Sequence, residues 1–104
     1  MRGDEVTYSI PDALRAQWRQ LAQQADLPYA TIVNQQLYDL QNEAETLTES
    51  LHDRHKQFDA AVSVATRARV QRTIQQLAAQ LEQCQAQIVA YEAELASARN
   101  MTGK

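Results

Sequence analysis

The chain has 104 residues, a formal net charge of -3 and one cysteine. This length accommodates one small domain with an extension, and the single cysteine excludes an intrachain disulfide. The mild acidity argues against a purely electrostatic nucleic-acid binder, which needs a strongly basic surface. The chain has no apolar run of about 18 residues, and its first eight residues, MRGDEVTY, include no apolar segment, so we expect a cytoplasmic protein without a membrane span or a signal peptide.

The stretch from Glu5 to Ile10, EVTYSI, alternates in polarity. This period of two predicts a half-buried β-strand. Pro11 ends the strand, because proline has no backbone N–H and suits the first turn of a helix. The inward side chains would be Val6, Tyr8 and Ile10, and the outward ones Glu5, Thr7 and Ser9.

Two helical patterns follow the strand. The first begins near Pro11-Asp12, and the second begins at Pro28 after a turn in which we expect Asp26 to adopt a left-handed conformation. One strand and two helices are too few to close a core, so we expect the same strand of a second copy to complete it. The predicted dimer core is Val6, Tyr8, Ile10, Leu14, Trp18, Leu21, Ile32, Val33 and Leu37.

Between Tyr29 and Thr102 the chain contains no glycine and no proline, a composition typical of long helices. Apolar residues follow a heptad pattern at positions 37, 40, 44, 47 and 51, and a second pattern runs from Val70 to Ala98, two residues out of phase with the first. The second seam includes Ile74, Leu77, Leu81, Cys84, Ile88, Tyr91 and Leu95.

Two architectures fit the break in phase between Arg54 and Arg69. One is a continuous helix of about 70 residues, roughly 100 Å long. The other is a helical hairpin that turns between Asp59 and Thr66, where Asp59, Ser63 and Thr66 are candidate N-caps. The segment contains no glycine, proline or asparagine to favour a turn, so the sequence leaves both open.

Residues 5–40 resemble the ribbon-helix-helix family of DNA-binding proteins, of the Arc and MetJ type. The resemblance covers about a third of the chain and is carried by VTYSI, LRAQWRQLAQQA, the DLP turn and YATIVNQQLYDL. It implies that two chains pair their strands into an antiparallel ribbon in the DNA major groove. Glu5, Thr7 and Ser9 would then contact bases, while Arg2, Tyr29 and Ala30 would contact phosphate. Glu5 and Pro28 depart from the family pattern.

Other candidate residues are weaker. His52, His55 and Asp59 have a spacing seen in metal sites, but no cysteine or third histidine is near in sequence, and we predict no metal site and no cofactor. We expect Cys84 to be a core residue. The cluster Arg67, Arg69 and Arg72 is expected to pair with Glu43, Glu45 or Glu49 on a neighbouring helix.

The sequence thus predicts a mainly α protein with a ribbon-helix-helix domain over residues 1–40, a coiled-coil region over 41–100 and a disordered tail over 101–104. Its predicted function is sequence-specific DNA binding, as a repressor or a plasmid or phage accessory factor. It would act as a homodimer, or as a tetramer or larger assembly through the coiled coil. The alternative is a structural or adaptor protein whose helices bind a protein partner. No nucleophile–base pair or phosphate loop is present, so we predict no enzyme.

Overall fold

The computed structural model describes residues 8–102, which form three helices and no β-strand. Helix α1 spans Asp12–Ala25, α2 spans Tyr29–Ala60 and α3 spans Val64–Thr102. The mainly α prediction is confirmed. The described part is elongated, with principal extents of 61 × 35 × 22 Å. Helix α3 includes two residues of the predicted tail, Met101 and Thr102, and residues 103–104 lie outside the described part.

The ribbon-helix-helix prediction is wrong. That family requires a β-ribbon, and Tyr8, Ser9 and Ile10 form no strand, while residues 1–7 lie outside the described part. The alternating pattern has a different physical reason. Ile10 is buried in the core and Tyr8 packs against it, and both reach that core within their own chain. Ser9 between them is exposed, so in the described residues the alternation reflects packing on helices of the same chain.

Helix α1 ends as its sequence predicts. Asp26 is the only non-glycine residue with a positive φ in the described chain, with φ 58° and ψ 46°. The N–H of Leu27 donates to the carbonyl of Ala22 at 2.9 Å, and the N–H of Asp26 donates to that of Gln23, which is a Schellman motif. The side chain of Leu27, the residue after Asp26, is exposed. Pro28 then precedes the first turn of α2.

The chain reverses at Ala61, Val62 and Ser63, so α2 and α3 form an antiparallel hairpin. Ala61 stops α2 with φ -72° and ψ 135°, an extended conformation open to any residue. The turn therefore needs no glycine, so the absence of glycine from this segment does not argue against a hairpin. Ser63 starts α3: its Oγ accepts the N–H of Thr66 at 3.1 Å, the bond of an N-cap.

The core lies at the end of the hairpin far from this turn. Val33 and Trp18 are fully buried there, and Tyr91 and Leu95 of α3 complete the cluster. Helix α1 packs on α2, and α2 packs on α3 along the hairpin. The two apolar seams thus face each other, and the two-residue change of phase falls at the turn. The N-terminal part of the chain needs a further element to complete its core, and α3 of the same chain supplies it.

The hairpin predicts a short distance between residues 45 and 79, which lie at equal distances from the turn on exposed positions. Nitroxide labels on Glu45→Cys/Ala79→Cys, in a Cys84→Ala background, should lie close together. The reason is that they sit on neighbouring helices whose axes are about 10 Å apart. A continuous helix would place the same residues about 50 Å apart. Double electron–electron resonance on labelled chain diluted with unlabelled chain measures the distance, and the single label at residue 45 is the control.

Candidate functional site

Glu94 of α3 links all three helices at the end of the hairpin away from its turn, which we call the closed end. Its Oε1 accepts a hydrogen bond from Arg15 Nε of α1 at 3.1 Å, which is also an ion pair. Its Oε2 accepts a hydrogen bond from the Tyr29 hydroxyl of α2 at 2.8 Å. The Glu94 side chain is only 14% exposed, so both bonds lie largely out of water. Bonds of this type to an ionised carboxylate are stronger than neutral ones.

The hydroxyl of Tyr29 is strongly perturbed by this arrangement. Burial, the hydrogen bond to Glu94 and the charge of Glu94 raise its pKa to about 12. Arg19 lies over the Tyr29 ring with its guanidinium carbon 5.3 Å from the centroid, a cation–π contact. A phenol that donates to a carboxylate is held in its protonated form. The cluster Arg15, Tyr29 and Glu94 therefore satisfies its own polar groups.

An aromatic cluster lies beside this network. The rings of Trp18 and Tyr91 meet edge to face, with centroids 5.0 Å apart and an angle of 79°. Tyr8 adds a tilted contact to Tyr91 at 6.5 Å. Burial, and then the nearby Tyr8, raises the pKa of the Tyr91 hydroxyl. Edge-to-face pairs stabilise beyond their buried area, so these rings fix α1 and the segment before it on α3.

The residues predicted to contact DNA are not brought together in the described part. Ser9 is exposed, Tyr29 is half-buried with its hydroxyl bonded to Glu94, and Ala30 packs against the core. Arg2, Glu5 and Thr7 lie outside the described residues. These six assignments stay predictions, but the ribbon that was to present them is absent from residues 8–102.

The predicted dimer core is placed within one chain, apart from Val6, which lies outside the described part. Leu21, at 42% exposure, faces away from it, because the buried stripe of α1 follows residues 14, 18 and 22 instead. Whether a second copy also contacts these residues stays a prediction. Of the predicted set, Ile10, Trp18, Ile32, Val33 and Leu37 are buried, and Tyr8 and Leu14 are partly buried.

The second seam of α3 faces α2. Cys84 is buried and its thiol donates to the carbonyl of Leu40 at 3.4 Å, so these two residues lie opposite each other. Burial and the charge of Glu43 raise the pKa of the Cys84 thiol. A protonated, buried thiol reacts slowly. Of the predicted seam, Ile74, Cys84, Tyr91 and Leu95 are buried, and Leu77, Leu81 and Ile88 are half-buried.

The turn forms an exposed tip, which we define as residues 54–72. Val62 is 94% exposed and Val64 is 84% exposed, in contrast to the buried seam behind them. Arg67 lies over the ring of Phe58, 4.5 Å from its centroid, so these residues face each other across the hairpin. Among the described residues these are the most exposed large apolar side chains, ahead of Val89 at 65% and Tyr38 at 63%, which makes the tip a candidate contact surface.

The arginines of the tip do not pair as expected. Since Leu40 lies opposite Cys84 and Phe58 lies near Arg67, Arg69 and Arg72 stand opposite residues 52–55. Glu43, Glu45 and Glu49 lie further along α2, away from the turn. Within residues 8–102 no ion pair joins Arg69 or Arg72 to an acid, and both side chains are exposed. The tip therefore presents uncompensated positive charge.

Metal binding finds no support in the described part of the chain. His52 and His55 are exposed on α2, as is Asp59. Among the residues described, no three histidine, cysteine, aspartate or glutamate side chains form a group that could hold a metal ion. Nor does any helix there have the length and apolar character needed to cross a membrane.

Comparison with protein-family models, with curated proteins and with solved structures finds no match.

Sequence reasoning missed two features. The bonds of Glu94 to Arg15 and Tyr29 join residues 79 and 65 positions apart, a distance that no periodic pattern encodes. The exposure of Val62 and Val64 is the second feature. Val62 and Val64 lie off both heptad seams and beside a run of arginines without an acid. The sequence alone shows this combination.

The first prediction from this site concerns stability. Glu94→Ala leaves Arg15 and Tyr29 without their acceptor, and hydrogen bonds to charged groups contribute about 1.5–3 kcal/mol each. We expect a loss near the lower value in chemical denaturation, because Arg15 is partly exposed. Glu92→Ala, two residues away and exposed, is the control and should change little. In a double-mutant cycle, strictly additive losses from Glu94→Ala and Tyr29→Phe would contradict the coupling.

The second prediction concerns alkaline pH. Because the pKa of Tyr29 rises from 10.0 to about 12 on folding, its contribution is complete below pH 10 and is lost as the pH passes through about 12. The free energy of unfolding should therefore fall less steeply over that range in Tyr29→Phe than in wild type. Denaturant titrations at a series of pH values measure this, and equal slopes for the two proteins would rule it out.

Proposed function

We propose that this chain is a structural or adaptor protein that binds a protein partner through the tip of its helical hairpin. The observation that carries the proposal is the exposure of Val62 and Val64 next to arginines without ion pairs. Elsewhere along the hairpin the apolar seams are covered by the facing helix. Apolar side chains at the centre of a charged surface are the usual composition of a protein contact site.

The shape of the hairpin supports the same function. The described part is 61 Å long, and its core lies at the end away from the turn. Glu94 and the aromatic cluster of Tyr8, Trp18 and Tyr91 hold that end together. The tip is therefore displayed at a fixed distance from a rigid base, and a partner can bind it without disturbing the core.

No catalytic step belongs to this proposal. Among the described residues, the Glu94 carboxylate already accepts from both Arg15 and Tyr29, so its oxygens are engaged in structural bonds. Cys84 has a raised pKa and is buried, unlike a catalytic thiolate. A buried free thiol suits a reducing compartment, so the cytoplasm remains the expected location.

DNA binding is a second candidate, and one observation favours it. Arg69 and Arg72 are exposed with no ion pair among the described residues, and arginines of this kind contact phosphate. The surface is small, however, and the acidic Asp53 lies close by in a chain of net charge -3. A protein partner fits better, because phosphate contacts give no role to Val62 and Val64.

Photo-cross-linking at the tip separates the two candidates. With a photoreactive amino acid at Val62, full-length protein in cells should yield a protein adduct of one defined mass. The adduct should disappear in Arg69→Gln/Arg72→Gln, and a photoreactive residue at Gln75, exposed on the shaft of α3, should yield none.

A nuclease-sensitive adduct would instead support DNA binding. In that case duplex affinity should fall with salt and with Arg69→Gln/Arg72→Gln, because phosphate contacts release counterions. The absence of any adduct at Val62 would contradict both candidates.

A further inference from the structure

Charge is segregated along the hairpin. Residues 39–53 of α2, which we call the acidic stretch, hold five acids and no lysine or arginine, namely Asp39, Glu43, Glu45, Glu49 and Asp53. The tip holds five bases and one acid, namely Arg54, Lys56, Arg67, Arg69, Arg72 and Asp59. All of these side chains are exposed, and none of the ion pairs found among residues 8–102 joins the two sets.

Within one chain, only the Asp53 end of the acidic stretch lies near the tip. Helices α2 and α3 pack along each other, so the tip and the acidic stretch lie one after the other along the hairpin. Arg69 and Arg72 stand opposite residues 52–55, beyond reach of most of the acidic stretch. A second copy in the opposite direction removes this restriction, because its tip can lie beside the acidic stretch of the first.

We propose that the partner of the tip is a second copy of this chain, bound antiparallel through its acidic stretch. The inference rests on the proposed function and names the partner at that site. A two-fold axis makes the contact reciprocal, so that each tip meets the acidic stretch of the other copy and the contact forms twice. The valines lie at the end of each tip and lose exposure in this contact.

The dimensions agree with such a pair. The middle of the acidic stretch is 16 residues from Val62 along α2, about 24 Å at the rise of a helix. The two hairpins therefore overlap by much less than the 61 Å length of one copy. The closed ends, with Glu94 and Trp18, stay outside the contact, so the core of each copy is unchanged. Because the contact is largely between exposed charges, salt weakens it.

Two charge-reversal variants, measured alone and as a mixture, test the pairing of the tip with the acidic stretch. In sedimentation velocity over a concentration series at low salt, wild type should move from the 11.8 kDa chain to a species of twice that mass. Arg69→Glu/Arg72→Glu should stay monomeric, and so should Glu45→Lys/Glu49→Lys, because each places like charges together. An equimolar mixture of the two variants should restore the dimer, since both contacts are then attractive again.

Two controls keep this result interpretable. Glu92→Lys, near the closed end, should dimerise as wild type does. Circular dichroism should show that each variant keeps its helical content, because only exposed side chains are changed. The inference is overturned by a wild type that is monomeric at every concentration, by a reversal variant that still dimerises, or by a mixture that stays monomeric.

The outcomes also separate this inference from the proposed function. If wild type is monomeric while Val62 still cross-links to a different protein in cells, the adaptor function stands and the second copy is not its partner. If Val62 yields only a nuclease-sensitive adduct, the tip binds nucleic acid and both proposals fail. A cross-linked species of twice the chain mass, abolished by Glu45→Lys/Glu49→Lys, supports both.

Discussion

The return of α3 along α2 is the constraint on which the rest of this structure depends. The core that buries Trp18 of α1 and Ile10 before it contains residues of α2, and Tyr91 and Leu95 of α3 complete it. The edge-to-face contact of Trp18 with Tyr91 and the bonds of Glu94 to Arg15 and Tyr29 fix that return in one register. The same register places Cys84 opposite Leu40 and exposes the residues of the tip.

Much of the local structure could be predicted from the sequence because it is encoded by neighbouring residues. The left-handed Asp26, the start of α2 after Pro28 and the capping serine at position 63 all follow from short-range rules. The heptad seams gave the buried faces of α2 and α3 for the same reason. Leu21 is 42% exposed within the single chain, and its predicted place in a dimer core stays a prediction.

The ribbon could not be distinguished from its alternative by pattern alone. An alternating segment needs a neighbour on one side, and EVTYSI does not say whether that neighbour is a strand of another copy or a helix of the same chain. The deciding residue, Tyr91, lies more than eighty positions beyond Tyr8. The turn was ambiguous in a similar way. It is made by Ala61 in an extended conformation, so no glycine or proline marks it in the sequence.

The position of the core has a consequence for the order in which the chain can fold during synthesis. Helix α1 and the start of α2 leave the ribosome well before Tyr91, Glu94 and Leu95, the residues of α3 that pack on them. The hairpin can close from its turn, where partners are few residues apart and loop closure has the smallest entropic cost. Helix α1 is thus made before the helix that completes its burial, and Trp18 lacks its edge-to-face contact until Tyr91 has been translated.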